Sequence, residues 1–352
     1  MTTWELVAVV IKILVVVVVT QGAVAYLILV ERKIAAWSQD RVGPNRAGPF
    51  GLLQPLADGA KMILKEDITP GYVNKPLFIL APCVAIFTAV IAFGVVPFGP
   101  AGANSPYVGN LQVPFQIAPG VDIGILYIFA VGSLAVYGVI LAGYASNNKY
   151  SFLGGMRSSA QMISYEIPLG MSVLGMILLS RSLQLDDIMN WQAGHGLGFI
   201  PAWGIFVQPL GFLIFLVSSF AETNRLPFDL PESEQELVGG FHTEYSAMKF
   251  GMFFLGEYLH IITVSFLTVI LFFGGWDAPF LTVDQTGWIA AIFKTLVIIA
   301  KVALMVLFIM WIRWTLPRFR YDQLMNLAWK TMIPLALLNL VVTAVVVQLI
   351  RS

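Results

Sequence analysis

Eight apolar runs, each about the length of a bilayer-crossing helix, divide this chain near residues 5–30, 77–97, 122–142, 160–180, 200–220, 250–273, 293–313 and 331–350. A hydrocarbon core about 30 Å thick needs roughly 20 residues of helix, and backbone inside lipid must satisfy its own polar groups. The runs therefore predict an all-α fold: one membrane domain over residues 1–352, built as a polytopic bundle of about eight transmembrane helices. Composition excludes a soluble domain, since 58% of residues are hydrophobic and 11% charged, where soluble proteins carry about 25% charge. Twenty bases balance twenty acids. Nucleic acid is thus not an expected partner, because phosphate binding needs a basic surface; membrane lipid is. Pro82, Pro168 and Pro209 fall inside or near the starts of runs, where bundle neighbours can satisfy the freed backbone groups. The first run lacks a basic leader and a small-residue cleavage site before Glu31-Arg32-Lys33, and reads as a retained helix rather than a signal peptide.

Orientation follows from where lysine and arginine lie. The connections after runs one, three, five and seven hold fifteen of the twenty bases: Arg32, Lys33, Arg41, Arg46, Lys61, Lys65, Lys75, Lys149, Arg157, Arg225, Lys249, Arg313, Arg318, Arg320 and Lys330. Both termini are therefore expected outside, with the large connections at residues 31–76 and 221–249 facing the cytoplasm or matrix.

The second of these connections is strongly acidic. It packs Glu222, Asp229, Glu232, Glu234, Glu236 and Glu244 against Arg225 and Lys249 alone, between two long hydrophobic runs. Anions so close to lipid are placed to handle protons, although each also reads as a solvated acid or a helix cap. Arg225 is expected to pair with this cluster. Glu166 and Glu257 lie one to two turns inside their runs on the same side. A charge at the bilayer centre costs about 2.5 to 3.5 kcal/mol on insertion scales, so such residues usually face a bundle interior and mark ion or proton paths. The alternative is an interfacial glutamate that snorkels or bonds to a neighbouring helix. Lys301, inside the seventh run, is a candidate countercharge.

In the 31–76 connection, a turn rich in proline and glycine (Gly43, Pro44, Gly48, Pro49, Gly51) precedes a helical pattern. Leu52, Leu56, Ala60 and Ile63/Leu64 share one face, while Asp58, Lys61 and Lys65 lie largely away from it. This predicts an amphipathic helix of about 15 residues, too polar to span. It serves as a surface anchor, or as the wall of a lateral opening for an amphiphile.

Other chemistry is thinly represented. Cys83 stands alone in an apolar run and reads as a small buried residue, which leaves no thiolate set for an iron–sulfur cluster. His195, His242 and His260 are scattered. Glu257 and His260 form a Glu-x-x-His step, but a di-iron bundle needs a second such step and two further glutamates, so no metal is expected. Phosphate loops and serine elbows are absent from the sequence. No residue is assigned a catalytic role, and the chain alone is not expected to oxidise a nicotinamide or to hold FMN.

Three long strings, ERKIAAWSQDRVGPNRAGPFGLLQPLADGAKMILKED, AETNRLPFDLPESEQELVGGFHTEYSAMKF and WIRWTLPRFRYDQLMNLAWKTMIP, resemble the H-subunit family of NADH:quinone oxidoreductase, respiratory complex I, equivalent to mitochondrial NADH dehydrogenase subunit one. The likeness extends over nearly the whole chain. It implies a membrane subunit that anchors the peripheral electron-transfer arm and forms much of the quinone entrance. By resemblance Glu31, Arg32, Arg41, Asp58 and Lys61 line that entrance, and the acidic connection with Arg225, Phe228 and Asp229 borders the cavity. Glu166, Glu222 and Glu257, with the acids Glu232, Glu234, Glu236 and Glu244, then begin a carboxylate chain toward antiporter-like pump subunits. The implied substrate is ubiquinone or menaquinone. The implied partners are peripheral-arm subunits carrying the terminal iron–sulfur cluster, small membrane subunits and the antiporter-like subunits, in a bacterial or mitochondrial inner membrane. Gly59 stands after Asp58 where the family commonly has alanine, a change that weakens the amphipathic helix by up to about 1 kcal/mol. Two other readings remain: the homologous anchor subunit of a membrane-bound hydrogenase, and an independent secondary transporter, which predicts inverted repeats that the sequence does not display.

Overall fold

Apolar runs of this length have one solution in lipid, and the chain adopts it. The computed structural model describes residues 3–100, 105–108, 111–195, 202–230, 237–278 and 287–351. α1 (Thr3–Ser38) is a 36-residue helix. α2 (Gln54–Leu64) is the amphipathic segment, followed by α3 (Lys75–Ile91), α4 (Gly124–Ala145) and α5 (Lys149–Ser180). α6 (Leu185–Gly194), α7 (Gly204–Val207) and α8 (Pro209–Glu222) are shorter. α9 (Ala247–Phe272) and α10 (Trp288–Thr315) are long again. α11 (Tyr321–Asn326) continues through a π-helical turn, Leu327–Met332, into α12 (Ile333–Arg351). A two-residue antiparallel ladder, Tyr107–Val108 against Leu111–Gln112, lies between α3 and α4.

Among the described residues, seven helices are long and apolar enough to cross a membrane, and the molecule is a polytopic membrane helix bundle. The eighth expected span, at residues 200–220, is broken in two. Gln208 leaves helical conformation (φ −131°, ψ 58°) immediately before Pro209, whose ring disfavours a helical predecessor, and α8 then runs for only 14 residues. The break is held by polar contacts: Gln208 Nε2 donates to Thr343 Oγ1 at 2.8 Å, and Asn339 Nδ2 donates to Gln208 Oε1 at 3.0 Å.

Other boundaries differ where polar groups find partners. α1 runs past residue 30 through Glu31 to Ser38, because Glu31 is buried and ion-paired rather than solvated. α5 begins at Lys149 instead of 160, with the Asn148 side chain accepting from the Tyr150 N–H at 3.0 Å as its N-cap. α2 spans 11 residues, fewer than expected. Its Leu56, Ile63 and Leu64 point outward, as an interfacial helix requires. Cys83, expected to be buried, is exposed on α3.

The most deeply packed element is α9, whose second half, from Ile261 to Phe272, is buried throughout. Small residues set the closest approaches around it. A Cβ at Gly154 on α5 would stand 2.8 Å from the Gly240 Cα, so only glycine lets α5 meet the turn Gly240–His242.

Candidate functional site

Helices α1, α2, α9 and α10 enclose a cavity of about 590 Å³ at the end of the bundle where α1 finishes and α9 begins. Ile28, Leu29, Met62, Ile63, Phe254 and Leu255 give it apolar walls. Glu31, Arg32, Arg41, Asp58, Tyr258 and Arg313 supply its polar groups. Four of the five residues expected to line an entrance, Glu31, Arg32, Arg41 and Asp58, are therefore in its lining. The fifth, Lys61, is 76% exposed and touches the site only through Asp58, 4.0 Å away. Asp58 is better held by Arg32 Nη1 at 2.6 Å and by Gln54 Nε2 at 2.9 Å, which ties α2 to α1.

The deep end of this cavity is a buried charge cluster. Tyr258 donates its hydroxyl to Glu31 Oε2 at 2.6 Å, and Arg313 Nη1 donates to Glu31 Oε1. Arg225 Nη1 lies 3.5 Å from the same Oε1, its Nε meets Glu257 Oε1 at 2.5 Å, and its guanidinium stands 4.3 Å over the Tyr258 ring. Two carboxylates thus share two arginines, and the cluster is close to neutral. Such compensation is what lets charge persist where the surroundings are apolar.

Beyond Glu257 lies a second, smaller cavity of about 70 Å³, lined by Glu222, Asn224, His242, Phe254, Glu257 and His260 among others. Glu222 comes from the end of α8, Glu257 and His260 from α9, and His242 from the turn before it. His260 Nε2 is 3.5 Å from Glu222 Oε1. Burial lowers the His242 imidazole to about 4, so it is neutral at neutral pH. On α4, Gly132 lies beside the carboxylate: a Cβ there would sit 3.6 Å from Glu222 Oε1. The next residue, Ser133, donates its hydroxyl to Glu166 on α5. Glu31, Glu257, Glu222 and Glu166 are in this way strung across α1, α9, α8 and α5.

The remaining expected residues are placed as follows. Phe228 is buried, stacked on Phe319 at 5.3 Å and tilted against Tyr165. Asp229 lies 3.8 Å from Arg318 Nη2. Neither lines a described cavity. Glu244 is apart from the other carboxylates: Tyr72 Oη and Asn148 Nδ2 each donate to it at 2.7 Å, which joins three connections and raises the Tyr72 hydroxyl above its ordinary pKa. Glu232, Glu234 and Glu236 lie outside the described residues. Arg225 sits on Glu31 and Glu257. Lys301 is no countercharge to Glu166 or Glu257. Its ammonium donates to the carbonyls of Phe273, Gly275 and Asp277 beyond the far end of α9, because the helix end there leaves carbonyls needing donors.

Three members of the site carry no such signal in the sequence. Arg313 counts there only as a base of the seventh connection, Tyr258 is unmarked beside Glu257, and His260 reads only as a candidate metal ligand. In the structure Glu257 turns to Arg225 and His260 to Glu222, so the two do not share a ligand position.

The sequence model of a family described as NADH dehydrogenase matches residues 11–344. The chain belongs to that family. It is similar to the H subunit of NADH-quinone oxidoreductase from Leptospira biflexa, 50% identical over 330 residues, covering 92% of this chain and 90% of the relative. It is also similar to an H subunit of NADH-quinone oxidoreductase from Koribacter versatilis, 49% identical with 96% of each chain covered. An H subunit of NADH-quinone oxidoreductase from Cytophaga hutchinsonii is 48% identical, with 92% of each covered. In this member of the NADH dehydrogenase family, an amphiphile-sized cavity ends on a compensated charge cluster, and a carboxylate series leads away from it into the bundle.

Proposed function

We propose that the chain is the H subunit of a proton-pumping NADH:quinone oxidoreductase, the membrane subunit that forms the quinone entrance, anchors the peripheral arm and couples quinone reduction to proton translocation. The observation that carries this reading is the cavity bounded by α1, α2, α9 and α10, apolar along its walls and charged at its deep end. An isoprenoid tail suits the first surface and a polar head group the second.

Reduction of the quinone takes two electrons, delivered by the terminal iron–sulfur cluster of neighbouring peripheral-arm subunits, and two protons, and yields the quinol. Negative charge on the quinone during this sequence acts on Arg225, Arg313, Glu31 and Glu257 through a low-dielectric interior, where the interaction is far stronger than in water. Tyr258, donating to Glu31, and Arg225, shared between Glu31 and Glu257, transmit that change toward Glu222 and Glu166. Lys61, Phe228 and Asp229 are assigned to the border of the quinone entrance, and Glu232, Glu234, Glu236 and Glu244 to proton coupling. The chain is a single multi-pass unit of an inner membrane with both termini outside, and its further partners are small and antiporter-like membrane subunits. It holds no FMN or iron–sulfur cluster of its own.

The test is to purify the complex from its native membrane and measure inhibitor-sensitive NADH:quinone reductase activity together with proton pumping, for wild type and Glu222→Gln. The reading expects both activities in the parent, and a variant that assembles but loses pumping. A chain that purifies alone, or with a hydrogenase and without quinone reductase activity, contradicts it.

A further inference from the structure

We infer that Glu222 and His260 form the proton-holding pair of the small cavity, with His260 the residue that takes up and releases the proton opposite this carboxylate during turnover. The inference deepens the reading above and rests on it. It also gives a role to the Glu-x-x-His step, which holds no shared ligand position.

The argument compares the partners of three carboxylates. Glu31 is held by Arg225, Arg313 and Tyr258, and Glu257 by Arg225. Guanidinium keeps its charge at any physiological pH, so these acids have fixed counter-ions. Glu222 has a different neighbour: His260 Nε2 at 3.5 Å, an imidazole, the side chain whose charge changes between about pH 5 and 8. Both residues are mostly enclosed, with side chains 14% exposed for His260 and 11% for Glu222, and both line the small cavity. The groups facing the pair are few. Glu257 on α9 is paired with Arg225, His242 from the preceding turn is neutral, Asn224 follows α8, α5 contributes Met162, and α4 contributes the apolar Ala135 and Val139. No fixed cation among the described cavity-lining residues holds the pair in one state.

One proton therefore distinguishes two states, imidazolium with carboxylate and imidazole with carboxylate. The second leaves an uncompensated anion, which the first avoids. Negative charge on the quinone, acting through the Arg225–Glu257 contact beside the cavity, shifts the balance between them. His260 is in this sense a positioning and proton-holding residue, not a group that touches quinone.

The test uses the intact complex with His260→Gln, His260→Asn and the double variant with Glu222→Gln, each checked for assembly. The expected result is that pumping per electron falls at least about tenfold in either histidine variant, that the pH dependence of pumping differs from that of wild type, and that the double variant is no worse than Glu222→Gln alone, as for residues acting as one unit. Assembled His260 variants with wild-type pumping and pH profile overturn the pair, as does a double variant whose losses multiply. Absence of quinone reductase activity in the wild-type complex instead overturns the underlying functional reading.

Discussion

Arg225 Nε meets Glu257 Oε1 at 2.5 Å in the partition between two cavities, the larger one lined by Glu31 and the smaller by Glu257 itself. The same guanidinium reaches Glu31 at 3.5 Å. One permanently charged group thus connects the chamber open to an amphiphile with the carboxylates behind it.

Removing that guanidinium destabilises the bundle. Breaking a buried pair by deleting one partner costs about 3 to 5 kcal/mol, because the carboxylate left behind keeps its desolvation penalty. Arg225→Ala is expected to lower the thermal midpoint and the yield of assembled complex. The further change Glu257→Gln recovers part of the loss. An Arg225→Ala complex as stable as wild type contradicts the partition.

The Tyr258 hydroxyl is placed to orient Glu31 rather than to support the fold. Tyr258→Phe deletes one hydrogen bond to a charged group, of the order of 1.5 to 3 kcal/mol, while Arg313 and Arg225 keep Glu31 compensated. The complex is expected to assemble normally and show a raised KM for quinone, which steady-state kinetics with a short-chain quinone measures directly.

Much of this arrangement is legible in the chain, and the exceptions have physical causes. Long apolar runs announce helices because lipid leaves the backbone no other solution. The 200–220 run fails as one span because its hydropathy is silent about how Pro209 restricts Gln208. Glu31, Arg32, Arg41 and Asp58 share one cavity. The partners of Glu31 leave no trace because Tyr258 and Arg313 lie 227 and 282 residues away, and no local pattern ties them to it. Lys301 misleads for a related reason: its position within an apolar run is visible, but not the end of the bundle on which a neighbouring helix leaves its carbonyls.

Gly59 offers a test that separates helix stability from cavity shape. Nothing lies within 4 Å of a Cβ built there, and the residue lines the large cavity. Gly59→Ala is expected to stabilise α2 by up to about 1 kcal/mol with activity retained. Gly59→Trp fills the chamber and raises the KM for long-tailed quinone while the complex still assembles. Equal kinetics in the two variants contradict the placement of the ligand against α2.

At the opposite end of the bundle, Asp186 in the first turn of α6 has its carboxyl raised to about 7, chiefly by burial and further by Asp187. Its folded pKa lies above the ordinary carboxylate value, so between about pH 4 and 7 the folded state binds the extra proton. The stability it contributes is present at the acid end of that window and is lost as pH rises through it. The thermal midpoint of Asp186→Asn is expected to fall less steeply than wild type from pH 5 to 8. Parallel curves contradict the assignment.

The most direct measurement is to label the purified complex with a photoreactive quinone and sequence the peptides it modifies. Labels on α1 between Ala25 and Ala35, on α2 between Gln54 and Ile63, and on α9 between Met248 and Tyr258, displaced by excess quinone, are the predicted result. Displaceable labelling confined to other segments of this chain, or absent from it while neighbouring subunits are labelled, contradicts the account.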